Sequence, residues 1–183
     1  MVHADAIRCR VLASHILTAR FPLSRTPYGV LMELKGADSL MKKLQAIAES
    51  MDAGHVDVGF MSEAKYPDGT GVAQVAFWNE FGTATSPPRP FFRGMIARDS
   101  GNWPEVMARQ AKGTNLDGAK TLGLMGEYIG GQLIQSINDL ETPKLADSTV
   151  EAKGFEKPLI DTSHMINSIT YQINEGDVIP VKV

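Results

Sequence analysis

The feature that most restricts the fold of this chain is a long apolar stripe in its second half. Between Asp117 and the end of the stripe, apolar residues recur at spacings of three or four: Leu122, Met125, Ile129, Leu133, Ile137 and Leu140. This spacing places them on one face of an α-helix. The sequence therefore predicts a long amphipathic helix that begins after Asp117.

Glycines inside this helix pattern carry separate information. Each glycine costs about 1 kcal/mol relative to alanine in a helix interior, so close packing should offset that cost. Gly126 and Gly130 form a small-x-x-x-small pair, which lets a neighbouring backbone approach closely. The neighbour is either the chain's own sheet or another subunit, and we favour the chain's own sheet.

Upstream of the long helix, the pattern predicts a helix, a strand and a second helix. Apolar residues at helical spacing follow Asp38: Leu40, Leu44, Ile47 and Met51. Residues 55–61 alternate in hydrophobicity as a half-buried strand does. Residues 72–81 suit a helix or a strand, and we favour a short helix that ends at Gly82.

Prolines define the next segment. Residues 87–90 read Pro-Pro-Arg-Pro, and each proline fixes φ and keeps the preceding residue out of the helical region. We therefore expect an extended surface segment. Pro90 suits the start of one helix and Asn102 the cap of another, which ends near Gly113.

The sequence pattern in the last part of the chain predicts a β-hairpin. Residues 141–158 lack periodicity and are expected to form a long loop. Thr162 could cap a short helix, after which residues 169–173 alternate as a strand and residues 174–177 turn the chain towards 178–183. Together these elements predict an α+β fold: a small, mostly antiparallel sheet with a C-terminal hairpin, packed against one long and several short helices.

Length and charge restrict the domain organisation. The 183 residues are enough for one domain, and the formal net charge of −3 disfavours a strongly basic DNA-binding protein. Residues 1–31 carry a formal charge of +3, whereas residues 32–183 carry −6. The first segment is therefore either a basic arm that lies on a partner or on DNA, or upstream sequence before a start at Met32. We favour the second interpretation and assign the single domain to residues 32–183.

Few residues suggest catalysis or cofactor binding. A single cysteine, Cys9, and four histidines without metal-ligand spacing give no support for a metal site. No phosphate-binding glycine loop and no membrane-spanning stretch occur, and no cofactor is expected. Asp161, Ser163 and His164 could serve a small hydrolase or nuclease, but the start of a helix explains the same residues and is favoured.

An aromatic cluster suggests an interaction surface. Residues 77–92 hold five of the thirteen aromatic residues of the chain, interleaved with arginine and proline. Buried interface anchors have this composition, although an aromatic core beneath a loop has it too. We assign a subunit or partner interface to six residues: Trp78, Phe81, Arg89, Phe91, Phe92 and Arg93. A minor alternative is a single-stranded nucleic-acid binding module that uses the same set without Phe81.

Several segments together resemble one known family. They are residues 75–83 (Val-Ala-Phe-Trp-Asn-Glu-Phe-Gly-Thr), 87–93 (Pro-Pro-Arg-Pro-Phe-Phe-Arg), 157–162 (Lys-Pro-Leu-Ile-Asp-Thr) and 168–173 (Ser-Ile-Thr-Tyr-Gln-Ile). In this order and spacing they are similar to the neck or tail-completion proteins of tailed bacteriophages and prophages, also called virion morphogenesis or minor tail components. The Glu-Leu-Lys-Gly sequence at 33–36 resembles the usual start of such proteins.

The resemblance implies a structural role. It implies a non-enzymatic subunit that joins a ring, a hexamer or dodecamer, between the capsid portal and the tail, or that caps the finished tail tube. Its partners would be copies of itself and other connector and tail proteins, with DNA only as passing cargo and no membrane. The protein would reside in the virion, and in the host cytoplasm during assembly.

Overall fold

A computed structural model describes residues 7–12, 54–145, 147–154, 156, 158–159, 163–174 and 176–182. Four strands form one antiparallel sheet in the order β1-β2-β3-β4, and their bounds are Ile7–Leu12 (β1), His55–Phe60 (β2), Thr170–Ile173 (β3) and Val178–Pro180 (β4). The helices are Val72–Phe81 (α1), Phe91–Asp99 (α2), Trp103–Gly113 (α3), Gly118–Asp139 (α4), Asp147–Lys153 (α5) and His164–Asn167 (α6). This arrangement confirms the predicted α+β fold and its C-terminal hairpin.

The long helix α4 covers one face of the sheet. Its apolar stripe is buried, with Met125, Ile129, Leu133 and Ile137 fully enclosed, and the helix packs on β2 and β3. Asp117 begins the helix because its carboxylate accepts a hydrogen bond from the backbone N–H of Lys120, at 3.0 Å. The long amphipathic helix is therefore confirmed, including its first residue.

The glycines of α4 pack against the chain's own sheet. A Cβ at Gly126 would lie 2.5 Å from Cδ2 of Tyr171 on β3, and a Cβ at Gly130 would overlap Val181, which follows β4. The absence of side chains at these two positions lets the helix backbone sit directly on the sheet. The favoured interpretation of the small-x-x-x-small pair is confirmed.

The short helices follow the predicted pattern with one correction. Residues 72–81 are helical and α1 ends at Gly82, α2 begins directly after Pro90, and α3 ends at Gly113, as predicted. Asn102, however, does not cap α3 with its side chain. A 3-10 turn at Ser100–Asn102 runs directly into α3, so Asn102 already has a helical backbone and its side chain makes no capping hydrogen bond.

The basic arm departs most from expectation. Residues 7–12 lie in the segment assigned as an arm or upstream extension, yet all six pair with β2 along the edge of the chain's own sheet. The predicted loop at 141–158 also contains the short helix α5. The helix predicted after Asp38 and the cap predicted at Thr162 fall outside the described residues.

Candidate assembly interface

The segment between α1 and α2, residues 82–90, forms a rigid loop that we call the strap loop. It begins at Gly82, whose φ of 78° lies in the left-handed region. A Cβ on Gly82 would stand 2.9 Å from both the Pro88 nitrogen and the Ser86 carbonyl oxygen. Only glycine fits this position, because both the backbone angle and the close approach exclude a side chain.

Hydrogen bonds at both ends fix the conformation of the strap loop. The Thr83 hydroxyl accepts bonds from the backbone N–H groups of Thr85 (3.3 Å) and Ser86 (3.1 Å), and the Thr83 N–H donates to the Ser86 carbonyl (2.9 Å). At the other end, the Arg89 N–H donates to the Asn79 carbonyl of α1, at 2.7 Å. The loop is therefore held to α1 before any partner arrives.

Glu80 joins α1 to α2. Its carboxylate is 1% exposed and accepts bonds from the backbone N–H groups of Phe92 (2.9 Å) and Arg93 (3.0 Å) at the start of α2. The Arg93 side chain adds a bond from Nε to the same carboxylate, at 2.8 Å. Glu80 thus neutralises the N-terminal end of α2, where unpaired N–H groups and the helix dipole favour a negative charge.

Three of the six predicted interface residues reach the surface. Trp78 is 42% exposed and Phe81 is 50% exposed, both on α1. The Arg93 side chain is 55% exposed, and its guanidinium lies 4.6 Å from the centre of the Phe81 ring. We call Trp78, Phe81 and Arg93 the aromatic face.

The other three are enclosed by the chain. Phe91 is 0% exposed and Phe92 is 4% exposed, and both belong to the hydrophobic core. Arg89, within the strap loop, is 7% exposed, and its side chain bonds to the Pro143 and Lys144 carbonyls. The surface available to a partner is therefore smaller than predicted. Some of the clustered aromatic residues pack in the core, and others lie on the surface.

The cluster offers little exposed ring surface on which nucleic-acid bases could stack. Of the three aromatic residues assigned to that alternative, Phe91 and Phe92 are buried and only Trp78 presents ring surface. Among the described residues, no group of three or more His, Cys, Asp or Glu side chains is placed to hold a metal ion. No helix in the described ranges is long and apolar enough to cross a membrane.

Comparisons with family models, with curated proteins and with solved structures find no match.

The structure describes two of the three residues of the hydrolase alternative, Ser163 and His164. Asp161 lies outside the described residues. Nε2 of His164 is 2.9 Å from the Lys65 carbonyl, and the imidazole stacks on the Tyr66 ring at 4.7 Å between centroids. Ser163 has a left-handed backbone with φ of 58° directly before α6. These contacts give His164 a packing role between α6 and the Lys65 turn.

The most polar buried cluster was missed by the sequence analysis. Asp57 on β2 has a side chain only 3% exposed, and Arg10 on β1 binds it with Nε and Nη2, both at 2.8 Å. Arg8 approaches the same carboxylate at 3.4 Å. The hydrogen bonds from Arg10 hold the pKa of the Asp57 carboxyl below its ordinary value of 3.8. The alternation of residues 55–61 predicted a half-buried strand with Asp57 on the exposed side, and this was wrong, because β2 is buried on both faces.

Glu80 was missed for a similar reason. The buried face of α1 consists of Val72, Ala73, Ala76 and Glu80. An acidic residue at helical spacing on an apolar face indicates a buried acceptor that needs donors. The start of α2, twelve residues further along the chain, supplies them.

Proposed function

We propose that this chain is a structural subunit of a tailed phage or prophage, which assembles into a ring at the head–tail junction or completes the tail. The family assignment rests on the sequence resemblance of residues 75–83 and 87–93. The observation that carries the structural role is that these two segments interlock into one rigid surface unit. Glu80 and Asn79 of the first segment receive the backbone N–H groups of Phe92, Arg93 and Arg89 of the second.

A rigid unit of this kind suits assembly. Binding costs free energy when side chains and loops must be ordered at the interface, and a loop that is already fixed avoids much of that cost. Trp78, Phe81 and Arg93 belong to the residue types that most often anchor interfaces. Their partial exposure leaves apolar area that contact with a neighbour would bury.

Ring closure needs two unlike patches on each subunit, since a head-to-tail contact joins different surfaces. The aromatic face supplies one candidate. The other is the excursion at residues 141–154, where α5 exposes Asp147, Ser148 and Glu151. The two patches differ in character, because the first exposes aromatic rings and the second exposes a hydroxyl group and carboxylates.

Electron microscopy of lysates tests this proposal. A phage or induced prophage that lacks the gene should accumulate full heads beside separate tails if the subunit joins the two. Overlong or ragged tails would instead support the tail-completion role. Normal, infectious particles would contradict both.

One substitution distinguishes the hydrolase alternative from the structural role. His164→Ala should leave assembly of infectious particles unchanged within about twofold, because surface and loop packing changes of this kind cost little. The matched control is His55→Ala, a histidine at the start of β2. Loss of infectivity with His164→Ala in a chain that still folds would contradict the structural proposal.

A further inference from the structure

A groove lies beside the strap loop and adjoins the aromatic face at Trp78. It has a volume of about 770 Å³ and runs between α1, the turn at residues 66–70, the strap loop and the excursion that carries α5. Its lining includes Asp68, Trp78, Ser86, Arg89, Lys144 and Leu159. No role has been assigned to it above.

Arg89 is the unusual residue in this groove. Its side chain is more than nine-tenths buried, yet within the described residues it makes only two hydrogen bonds, both long ones to carbonyls, from Nε to Pro143 (3.3 Å) and from Nη2 to Lys144 (3.5 Å). No carboxylate in the described part of the chain forms an ion pair with it. A buried guanidinium with its full charge normally requires an acidic partner, because burial removes its hydration.

The other buried arginine contacts of the protein show the normal pattern. Arg10 binds Asp57 and Arg93 binds Glu80, in each case at 2.8 Å to a buried carboxylate. Arg89 is the most buried of these three arginines, and among the described residues it lacks a carboxylate partner. Arg89 lines the groove and its Nη1 makes no hydrogen bond within the described residues, so a donor remains for an incoming acceptor.

The charged residues of the described lining are two basic residues and one acidic residue. Lys144 lines it beside Arg89, and Asp68 is the acidic residue of the described lining. The Asp68 carboxylate already accepts a bond from the Thr70 N–H, at 2.9 Å. Thr85, Ser86 and Thr149 also line the groove, together with Trp78. This mixture suits an extended peptide, which needs both polar partners and small apolar contacts.

We propose that this groove binds an acidic peptide segment of a partner protein and that Arg89 receives its Asp or Glu carboxylate. Lys144 adds a second positive charge, and Trp78 packs against the peptide. The proposal deepens the assembly role and rests on it for the identity of the partner. A guanidinium binds a carboxylate through two parallel N–H donors, which makes Arg89 more selective than a lysine would be.

Nuclear magnetic resonance of the full chain provides the test. The probes are the capped pentapeptide Ala-Ala-Asp-Ala-Ala, the same peptide with Asn, and sodium acetate. The chain has two tryptophans, so its indole N–H signals form an internal comparison. Trp78 lines the groove, whereas the Trp103 indole is held by Gln132 at 2.9 Å and should not move.

The proposal predicts saturable shifts of the Trp78 indole and the Arg89 Nε–H with the Asp peptide. The Asn peptide should bind about tenfold more weakly, because hydrogen bonds to charged groups are the stronger ones. Acetate should also bind more weakly, since it lacks the peptide contacts. Equal binding of the Asp and Asn peptides would overturn the carboxylate assignment, and equal binding of acetate would overturn the peptide assignment.

Single substitutions test whether the Asp peptide binds in the groove at Arg89. Arg89→Gln should weaken the Asp peptide about tenfold or more, and Lys144→Gln about two- to threefold. Asp68→Asn should strengthen it by about twofold, because it removes a repulsive charge. Lys120→Gln, an exposed lysine of α4 outside the groove, is the matched control and should change nothing.

Two safeguards keep the test decisive. If Arg89→Gln fails to fold, the opposite effects of Lys144→Gln and Asp68→Asn carry the test, because both side chains are exposed. Movement of Trp78 with protein concentration alone would identify a second copy as the occupant and overturn a separate partner. Absence of any saturable shift would overturn the groove proposal, whereas only the lysate experiment bears on the assembly role.

Discussion

Asp57 explains why the first residues of the chain belong to the sheet. Its carboxylate is buried on the central strand β2, and the described groups that neutralise it most closely are Arg10 and Arg8 of β1. A buried carboxylate without such partners would be strongly destabilising. Two of the four arginines that make residues 1–31 basic therefore serve this contact.

Removal of Arg10 should be costly. Arg10→Ala leaves the buried Asp57 carboxylate with two longer contacts, Arg8 at 3.4 Å and His55 at 4.0 Å, so we expect a loss of about 1–3 kcal/mol in the free energy of unfolding at pH 7. Arg8→Ala is the matched control and should cost less, because Arg8 stands 3.4 Å from the carboxylate and Arg10 stands 2.8 Å away. Urea denaturation measures both. Equal stability of Arg10→Ala and the unsubstituted chain would show that β1 contributes nothing through this contact.

The same contact predicts a dependence on pH. The pKa of Asp57 is lower in the folded chain than its ordinary value of 3.8. Its stabilisation is therefore fully present above that value and is lost as the pH falls through the lower folded-state pKa. Asp57→Asn should flatten this acid limb of the stability curve in urea denaturation between pH 5 and 2. An unchanged acid limb would contradict the assignment.

Cys9 reports directly on whether β1 is in place. Burial raises the pKa of the Cys9 thiol to about 11, and the nearby Asp57 charge adds to that effect. Because the thiolate is the reactive form, Cys9 should react with a disulfide reagent at pH 8 up to about 100-fold more slowly in the folded chain than in urea. Rapid reaction in the absence of denaturant would mean that β1 leaves the sheet readily.

At the scale of elements, the contact between α4 and the sheet depends on two glycines. Gly126 lies against Tyr171, and a Cβ there would meet the ring at 2.5 Å. Gly131 is exposed on the same helix, with no atom within 4 Å of a built Cβ. The two positions therefore form a matched pair in which the same substitution has opposite consequences.

Alanine substitutions test this contact. Gly126→Ala should reduce the free energy of unfolding by about 1–3 kcal/mol, because the added methyl group pushes the helix from the sheet. Gly131→Ala should increase it by about 0.5–1 kcal/mol, the helix preference of alanine over glycine. Urea denaturation of both variants measures the difference. A neutral Gly126→Ala would contradict the direct packing of α4 on β3.

An element can be predicted when the pattern that determines it is local in the sequence, and not when it depends on residues far along the chain. The apolar spacing of α4 and the alternation of β3 are local patterns, so the sequence predicted both. The strand at residues 7–12 also alternates, with Ile7, Cys9 and Val11 between Arg8 and Arg10. Its basic composition obscured that pattern, because the acidic partner Asp57 lies far along the chain.

The candidate site was harder to predict than the elements. Residue types placed Trp78, Phe81 and Arg93 correctly among exposed side chains. Residue type alone could not distinguish these three residues from Phe91 and Phe92, because the same aromatic residues occur in protein cores and on interaction surfaces. The bonds that make the strap loop rigid join α1 to the start of α2 through Glu80, a tertiary contact with no periodic signature.

For the whole molecule, the proposed assembly role divides the surface into three parts. The aromatic face and the acidic excursion are the patches proposed for ring contacts, and the groove at Arg89 is proposed to hold an acidic segment of a partner. The aromatic face and the groove adjoin, because Trp78 belongs to both, and the exposed side chains of the aromatic face lie outside the core. Changes on the aromatic face should therefore affect assembly without affecting folding.

Complementation of a phage or prophage that lacks the gene tests this central claim most directly. The test variant is Trp78→Ser with Phe81→Ser, and the control is Leu124→Ser with Tyr128→Ser, which removes two exposed apolar side chains from α4. The account predicts that the control restores joined, infectious particles, whereas the test variant yields at least about tenfold fewer, with heads and tails separate or tails unfinished. Full restoration by the folded test variant would contradict it.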